Sequence, residues 1–184
     1  PIVYTAALEN GITPCTYFST QEVACENFQG WSPSNSGDKE EAYLNYTMEE
    51  GLSNSVNTIA VKMMEKTGIA NVLEQAKKMG IQEKLPNLPS LALGTGEIKM
   101  TEIAMVYTSY LNQGRTIKPL ILKKITNQEG RVLATFESKL SDKPAFSKEN
   151  GDLMIGMMKS TINSGTASRI RSTYGLKNDI AGKT

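Results

Sequence analysis

The stretch TMEEGLSNSVNTIAVKM, residues 47–63, carries the clearest helix signal in the chain. Thr47 and Glu50 have the spacing of a capping box, in which a hydroxyl and a carboxylate satisfy free backbone N–H groups at a helix start. The apolar residues recur at helical spacing and define one buried face. They are Met48, Leu52, Val56, Ile59, Ala60 and Met63. The sequence therefore predicts a core helix that begins at this capping box.

A polar interruption lies inside the same stretch. Ser and Asn predominate from Ser53 to Asn57, and because these side chains compete with the backbone for hydrogen bonds, they favour a break over a helix interior. The register places Ser55 near Leu52 and Ile59, toward the buried flank. A break rich in hydroxyl and amide groups suits a functional site, although a plain polar bend is the simpler explanation of these residues alone.

The upstream residues predict the end of a helix and then a long loop. In PIVYTAALENG, residues 1–11, Gly11 follows the helix end, and three apolar residues share its inner face: Val3, Ala6 and Ala7. Residues 12–45 have a loop-like composition rich in Ser, Asn and Pro. A loop of this length is usually functional or held against the surface.

Downstream, three more helices are predicted, with a turn-rich link through LPNLPSLALGTGEIK. They are GIANVLEQAKKMG, which stops at Gly80, then TEIAMVYTSYLNQG, which stops at Gly114, and finally a helix capped by Ser147. The residues expected to face the core are Val72, Leu73, Ala76 and Met79, then Ile103, Tyr107, Tyr110 and Leu111, and last Leu153, Met154, Met157 and Met158.

Two β-rich runs around NQEG predict a β-hairpin at about residues 119–137. The final YGLKNDIAGKT has extended character and predicts a strand that is only beginning. Helices, one hairpin and a starting strand indicate an α+β class weighted toward helix.

Composition excludes several function classes. The 184 residues carry 20 basic and 19 acidic side chains, a net charge of +1, whereas a nucleic-acid surface would be markedly basic. No apolar run approaches the ~18 residues that span a membrane. The chain contains no histidine, which removes Ser-His-Asp and Cys-His catalysis and most zinc sites. No metal and no cofactor are expected. Because the first residue is Pro1 and no signal peptide is present, we expect part of a longer protein.

Cys15 and Cys25 leave two alternatives open. Two free thiols and a disulfide are equally compatible with the sequence, because a bridge would need an oxidising compartment. Two cysteines alone do not make a metal site.

Three short motifs fail as nucleotide or catalytic signatures. The final GKT is not a phosphate loop, because Lys177 occupies the place of the required first glycine. In GTGEIK, Lys99 occupies the last glycine of a dinucleotide fingerprint. Lys66-Thr67-Gly68 is a complete K-T-G, but it lies at a predicted helix end, where Gly68 serves as a stop.

Ser55-Val56-Asn57 matches the S-x-N motif of the penicillin-binding transpeptidases, and Gly182-Lys183-Thr184 matches their K-T-G motif cut before its glycine. The flanks agree, since LPSLALGTGEIKMTEIAMVYTSYLNQG resembles the segment after S-x-N in bifunctional class A enzymes, and INSGTA resembles the approach to K-T-G. Lys99 departs from the family, which often begins this helix with threonine; Thr101 is expected to cap it instead. The chain is identified as a member over nearly its whole length.

The resemblance implies the penicillin-binding transpeptidase and serine β-lactamase-like fold, with residues 1–184 a partial transpeptidase domain. It implies attack by a serine on the D-Ala-D-Ala bond of a peptidoglycan stem peptide, an acyl-enzyme, and acylation by β-lactam antibiotics. Ser55 would relay a proton, and Asn57 would hold the catalytic lysine and the substrate backbone. Lys183 would supply positive charge for the substrate carboxylate, and Thr184 a hydroxyl that binds it.

The same resemblance implies that the serine and lysine of S-x-x-K lie immediately before Pro1, so the chain alone is expected to be inactive. The parent would also be a peptidoglycan glycosyltransferase, held at the periplasmic face of the cytoplasmic membrane by an anchor outside this chain. Alternatives are a β-lactam-binding sensor or a non-catalytic structural module of the same fold. Serine β-lactamases usually have S-D-N, whereas Val56 holds the middle position here.

The resemblance also carries a geometric expectation. Ser55, Asn57 and Lys183 should converge, with Lys183 about 2.7–3.2 Å from Ser55 or one water away. Their shared pocket should open toward Pro1.

Overall fold

A computed structural model of the chain describes residues 1–36 and 44–184. The helices it contains are α1 (Ile2–Glu9), α2 (Met48–Ser53), α3 (Asn57–Thr67), α4 (Ile69–Lys78), α5 (Met100–Leu111), α6 (Lys148–Asn163) and α7 (Arg169–Ser172). The strands are β1 (Tyr17–Ser19), β2 (Asn45–Thr47), β3 (Lys124–Thr126) and β4 (Val132–Thr135). Short 3-10 helices lie at Glu26–Phe28 and Pro89–Leu93. The predicted α+β class, weighted toward helix, is confirmed.

The capping box at the start of α2 is confirmed. The Glu50 carboxylate accepts from the Thr47 backbone N–H at 2.8 Å, and the Thr47 hydroxyl accepts from the Glu50 N–H at 3.2 Å. The predicted polar break is also present, because α2 ends at Ser53 and α3 begins only at Asn57.

The core forms where α1 packs against α3, α4 and α6, while α2 and α5 both pack against α6. The face predicted from residues 47–63 is buried, although Ala60 is only partly so. Methionines fill much of this core, because unbranched thioether side chains adapt to irregular gaps between helices. The fully buried ones include Met48, Met63, Met64, Met79 and Met154.

The predicted loop at residues 12–45 is wrong in part. Tyr17–Ser19 pairs antiparallel with Asn45–Thr47, with Phe18 opposite Tyr46. The hydrophobic pattern could not indicate a strand of three residues, since the alternation of apolar and polar residues is recognisable only over a longer run. Residues 37–43 of this segment lie outside the described residues.

Two predicted inward residues are exposed. Leu111 is 78% exposed and Leu153 is 43% exposed. Each helix buries only the face that meets its neighbour, and on α5 that face is Glu102, Val106, Ser109 and Tyr110. Tyr110 fixes this rotation, since its ring contacts Phe146 at 5.0 Å and its hydroxyl bonds Thr5 at 2.8 Å. The prediction correctly placed Tyr110 in the core, but it wrongly extended the buried face to Leu111.

The start of α5 also differs from expectation. The helix begins at Met100 with Lys99 as its N-cap residue, so Thr101 lies inside the first turn and does not cap it. No side-chain cap bond forms there.

The hairpin β3–β4 lies inside the segment predicted for it, with Ile125 opposite Ala134 and an irregularity at Thr126. The final segment differs from its prediction, because residues 176–184 form no strand. A strand requires a hydrogen-bonded neighbouring strand, whereas the backbone N–H groups of Leu176 and Gly182 donate to helical residues, to Ile170 O at 3.2 Å and to Met158 O at 3.3 Å. Among the helices of the described residues, none is both long and apolar enough to cross a membrane.

Candidate active site

Ser55 lies in the break between α2 and α3, in a backbone conformation that is unusual for serine. Its φ is +58°, the left-handed region that costs an L-residue about 1–2 kcal/mol. Backbone bonds hold the turn, from the Ser55 N–H to Leu52 O at 3.1 Å and from the Val56 N–H to Gly51 O at 3.0 Å. The side chain is exposed, so its predicted position on the buried flank is wrong. The break turns it out of the helical register and toward an open cavity.

Lys183 reaches Ser55 across 128 positions of the chain. Its ammonium donates to the Ser55 hydroxyl oxygen at 2.6 Å and also contacts the Thr184 carbonyl oxygen. Because an ammonium can only donate, the Ser55 hydroxyl keeps its own proton to donate, and it donates it to the Thr184 carbonyl oxygen at 3.4 Å. Partial burial lowers the pKa of Lys183 below its usual value, since desolvation disfavours the charged form.

Thr184 is held by a residue to which the sequence assigned no role. Its hydroxyl lies 2.5 Å from that of Thr166, and the Thr166 N–H donates to the Ser53 carbonyl at 3.0 Å. Gly165 permits this approach, because a Cβ there would lie 2.2 Å from the Ser53 oxygen. The Gly165-Thr166 turn therefore connects the end of α2 to the last residues of the chain. The sequence does show that Gly165 follows a helix, but it does not show that Ser53, 112 positions away, is the residue that this glycine approaches.

Asn57 is the first residue of α3 and faces the same cavity. Its side-chain nitrogen donates to the Ser34 carbonyl at 2.8 Å. The structure thus brings Ser55, Lys183 and Thr184 into contact and places Asn57 beside them without a direct bond to either Ser55 or Lys183.

These residues line a cavity of about 440 Å³. Pro1 lies on its wall, as expected, and apolar residues that include Leu91 and Ile98 form another side. Among the described residues of the lining, Lys183 alone has a charged side chain. No Asp or Glu side chain in residues 1–36 or 44–184 forms a salt bridge with it. Among the described lining residues, the cavity therefore presents the Lys183 cation and no acidic side chain, beside the Ser55 hydroxyl.

The second K-T-G lies elsewhere. Gly68 has φ +87° and separates α3 from α4, so its predicted role as a helix stop is confirmed. Lys66 lies over the Phe18 ring at 5.7 Å. None of the three motif residues, Lys66, Thr67 and Gly68, lines the cavity.

The two cysteines are free, with Cys15 exposed and Cys25 buried. The disulfide alternative is therefore wrong, and the free-thiol alternative holds. Burial, followed by a hydrogen bond and the charge of Glu65, raises the pKa of Cys25 to about 11. In the described part of the chain, no group of three or more His, Cys, Asp or Glu is placed to bind a metal ion.

Known proteins resemble this chain over its whole length. A family model described as "Penicillin binding protein transpeptidase domain" matches residues 1–184. Penicillin-binding protein 1A of Aquifex aeolicus (strain VF5) is 32% identical over 190 residues, which cover 100% of this chain and 25% of that protein. The chain thus spans about a quarter of the length of the curated relatives it matches.

Solved structures show the same fold. The crystal structure of penicillin-binding protein 1A from Haemophilus influenzae superposes with a TM-score of 0.89 at 25% identity, covering 100% of this chain and 33% of that one. The D,D-transpeptidase domain of a peptidoglycan glycosyltransferase from Eggerthella lenta gives a TM-score of 0.78 at 18% identity, covering 100% and 51%. Because the family model extends over every residue, from Pro1 through Ser55 to Lys183 and Thr184, this chain belongs to the penicillin-binding protein transpeptidase domain family.

Proposed function

We propose that this chain is the transpeptidase part of a peptidoglycan D,D-transpeptidase, which cross-links stem peptides through a serine acyl-enzyme and is acylated by β-lactams. One observation carries the proposal. The Lys183 ammonium lies 2.6 Å from the Ser55 hydroxyl in a cavity where no other described lining side chain is charged. Such a site suits a substrate that ends in a carboxylate and needs a proton delivered nearby.

The attacking serine and its lysine belong, in this proposal, to an S-x-x-K motif outside residues 1–184. Neither serine of the break has that spacing, since Val56 follows Ser53 by three and Thr58 follows Ser55 by three. Pro1 lies on the cavity wall, so a residue joined to it would be close to Ser55. Ser36 does have lysine three positions later, but Ser36 does not line this cavity.

In the acylation step, the serine oxygen attacks the carbonyl carbon of the penultimate D-Ala, and its proton passes to the lysine of S-x-x-K. The bond to the terminal D-Ala nitrogen then breaks, and that nitrogen needs a proton to leave as an amine. Ser55 is placed to relay it, because Lys183 occupies its acceptor side and its own hydrogen is engaged only in a long 3.4 Å bond to the Thr184 carbonyl, which a substrate nitrogen would replace. A second stem-peptide amine then attacks the ester, releases the serine and completes the cross-link.

Lys183 and Thr184 bind the substrate carboxylate in this scheme. The ammonium supplies charge in a partly desolvated setting, where an ion pair is stronger than in water. The Thr184 hydroxyl, oriented by Thr166, adds a directional donor. A β-lactam carries a carboxylate and a strained amide in the same relative positions as the substrate. It would acylate the serine and remain bound in the site.

The same proposal places the parent protein at the extracytoplasmic face of the membrane, anchored outside this chain, with a peptidoglycan glycosyltransferase as a second activity. The name of the Eggerthella lenta neighbour, which joins a D,D-transpeptidase domain to a peptidoglycan glycosyltransferase, supports this arrangement.

Two assays on the full-length protein test the proposal. We expect a fluorescent penicillin to label it covalently on a denaturing gel, and we expect cross-linked stem peptides from a lipid-linked peptidoglycan precursor. Labelling without cross-links would indicate a β-lactam sensor, and absence of both would indicate a structural module. Either result would overturn the transpeptidase proposal.

A further inference from the structure

Asn35 lies outside every motif of the site, yet it contacts the helix that carries Asn57. Its side-chain oxygen accepts from the Thr58 backbone N–H at 3.0 Å. Its side-chain nitrogen lies 3.1 Å from both the Thr20 carbonyl and the Thr58 hydroxyl. Thr58 completes the cluster, because its hydroxyl donates to the Thr20 carbonyl at 3.0 Å.

The chemistry of these partners fixes the orientation of the Asn35 amide. A backbone N–H can only donate and a carbonyl can only accept, so the oxygen must face Thr58 N and the nitrogen must face Thr20 O. The cluster is well shielded, since Thr58 is 1% exposed and Thr20 is 2% exposed. A buried polar group that loses its partner costs about 1–3 kcal/mol, so the amide has one favoured position.

Asn35 also supplies the side-chain hydrogen bond that the N-cap residue of α3 does not make. The N-cap residue of α3 is Val56, which has no side-chain oxygen and makes no cap bond. The first N–H groups of a helix have no partner within it, and Asn35 supplies one from 23 positions upstream. The start of α3, and with it the backbone of Asn57, is therefore held by the preceding loop.

The residue next to Asn35 orients the Asn57 side chain directly. The Ser34 carbonyl accepts from the Asn57 side-chain nitrogen at 2.8 Å. Because a carbonyl accepts only, the nitrogen of Asn57 is committed to it and the Asn57 oxygen is left for a different donor. In a site whose catalytic base is a lysine, that free oxygen is suited to an ammonium.

We propose that Asn35 is a positioning residue, which fixes the start of α3 and the Ser34 carbonyl so that the Asn57 oxygen faces the catalytic lysine. The proposal rests on the proposed transpeptidase function. Asn35 itself does not line the cavity and acts through Asn57. Misplacement of a catalytic amide by about 1 Å can cost on the order of 100-fold in rate.

A double-mutant cycle in the full-length protein tests this mechanism. The second-order rate of acylation by a fluorescent penicillin is measured for Asn35→Ala, Asn57→Ala and the pair together. We expect Asn35→Ala to lose about 10- to 100-fold, and we expect the double variant to be no slower than Asn57→Ala alone. Losses that multiply would show two independent contributions and would overturn the proposal.

Asn71→Ala is the matched control, since it also removes an amide-to-carbonyl bond, at 2.7 Å to Thr67 O, away from the cavity. It should acylate at the unsubstituted rate.

Hydrogen exchange gives a readout that does not depend on acylation. Peptides that cover the first turn of α3 should exchange faster in Asn35→Ala than in the unsubstituted protein, and unchanged exchange would contradict the placement of Asn35. If penicillin fails to label the unsubstituted protein, the proposed function is overturned, and the exchange rates still decide whether Asn35 holds the start of α3.

Discussion

The Lys183 ammonium donates to the Ser55 hydroxyl at 2.6 Å, although the two residues are 128 positions apart. Ser55 adopts φ +58° in the break between two helices, and Lys183 arrives on a segment that forms no strand. The contact therefore joins two irregular segments. Strained or irregular backbone of this kind concentrates at functional sites, where the surrounding structure maintains it.

The first prediction concerns Ser55 as the proton relay. In the full-length protein, Ser55→Ala should lower the acylation rate by about 100-fold or more, the range lost with a general acid–base group. Ser53→Ala is the matched control, because the Ser53 hydroxyl donates to Glu50 O at 3.2 Å within its own helix. Time-resolved labelling with a fluorescent penicillin measures both. Equal losses in the two variants would contradict the relay.

The second prediction is a pH dependence set by Lys183. Burial lowers the pKa of Lys183. Its charge is therefore lost at a lower pH than the charge of an ordinary lysine, whose pKa is about 10.4. Because the charged form binds the substrate carboxylate, acylation by a carboxylate-bearing penicillin should fall on the alkaline side as that pKa is passed. Lys183→Arg keeps its charge throughout and should lack this fall, even if its rate is lower. An identical alkaline fall in both proteins would exclude Lys183 as its source.

Local features of the fold were predictable because their causes are local. The Thr47–Glu50 capping box and the Gly68 stop each depend on residues within three or four positions, and both are present as predicted. The exposure of Leu111 was not predictable, since the rotation of α5 depends on Tyr110 meeting Thr5, 105 positions away.

The residues of the site likewise divide into those that the sequence indicated and those that it did not. The S-x-N and K-T-G matches indicated Ser55, Asn57, Lys183 and Thr184 by resemblance, whereas spacing alone left Ser53–Asn57 as a plain bend. Thr166 lay within the matching INSGTA stretch but was given no role, and Asn35 was not indicated at all. Each makes a hydrogen bond to a backbone carbonyl or N–H. Because nearly every residue carries these backbone groups, the sequence does not indicate which of them a distant side chain or N–H will bind.

The third prediction is that residues 1–184 alone form no covalent penicillin adduct, because neither Ser53 nor Ser55 has lysine three positions later. A denaturing gel after incubation with a fluorescent penicillin checks this. Ser36→Ala is the informative companion, since Ser36 and Lys39 do have the S-x-x-K spacing. A labelled band that disappears in Ser36→Ala would move the nucleophile into this chain and overturn its proposed position outside.

The fourth prediction is a thiol count. Exposed Cys15 should react with iodoacetamide at pH 8, while Cys25, which is 2% exposed with a pKa raised to about 11, should not. The thiolate is the reactive form, so both burial and pKa protect Cys25. Mass spectrometry of residues 1–184 should show one adduct in the native protein and two in denaturant, without reductant. No adduct in denaturant would reveal a disulfide.

The fifth prediction compares Gly165, two residues beyond the end of α6, with Gly156 in the middle of that helix. A Cβ at Gly165 would lie 2.2 Å from the Ser53 oxygen and 2.8 Å from its carbonyl carbon, both backbone atoms that cannot rotate away. Gly165→Ala should therefore lower the free energy of unfolding by about 1–3 kcal/mol, the usual cost of overpacking.

Gly156 is the matched position for this comparison, because it is exposed within α6 and a Cβ there would meet nothing within 4 Å. Gly156→Ala should raise the free energy of unfolding by about 0.8–1 kcal/mol, since alanine favours the helix over glycine. Urea denaturation followed by circular dichroism measures both changes. Because the Gly165 clash would push Thr166 away from Ser53, acylation of the full-length Gly165→Ala protein should also fall, while Gly156→Ala retains it. A Gly165→Ala protein as stable and as active as Gly156→Ala would show that the close approach of this turn to α2 does not hold the site together.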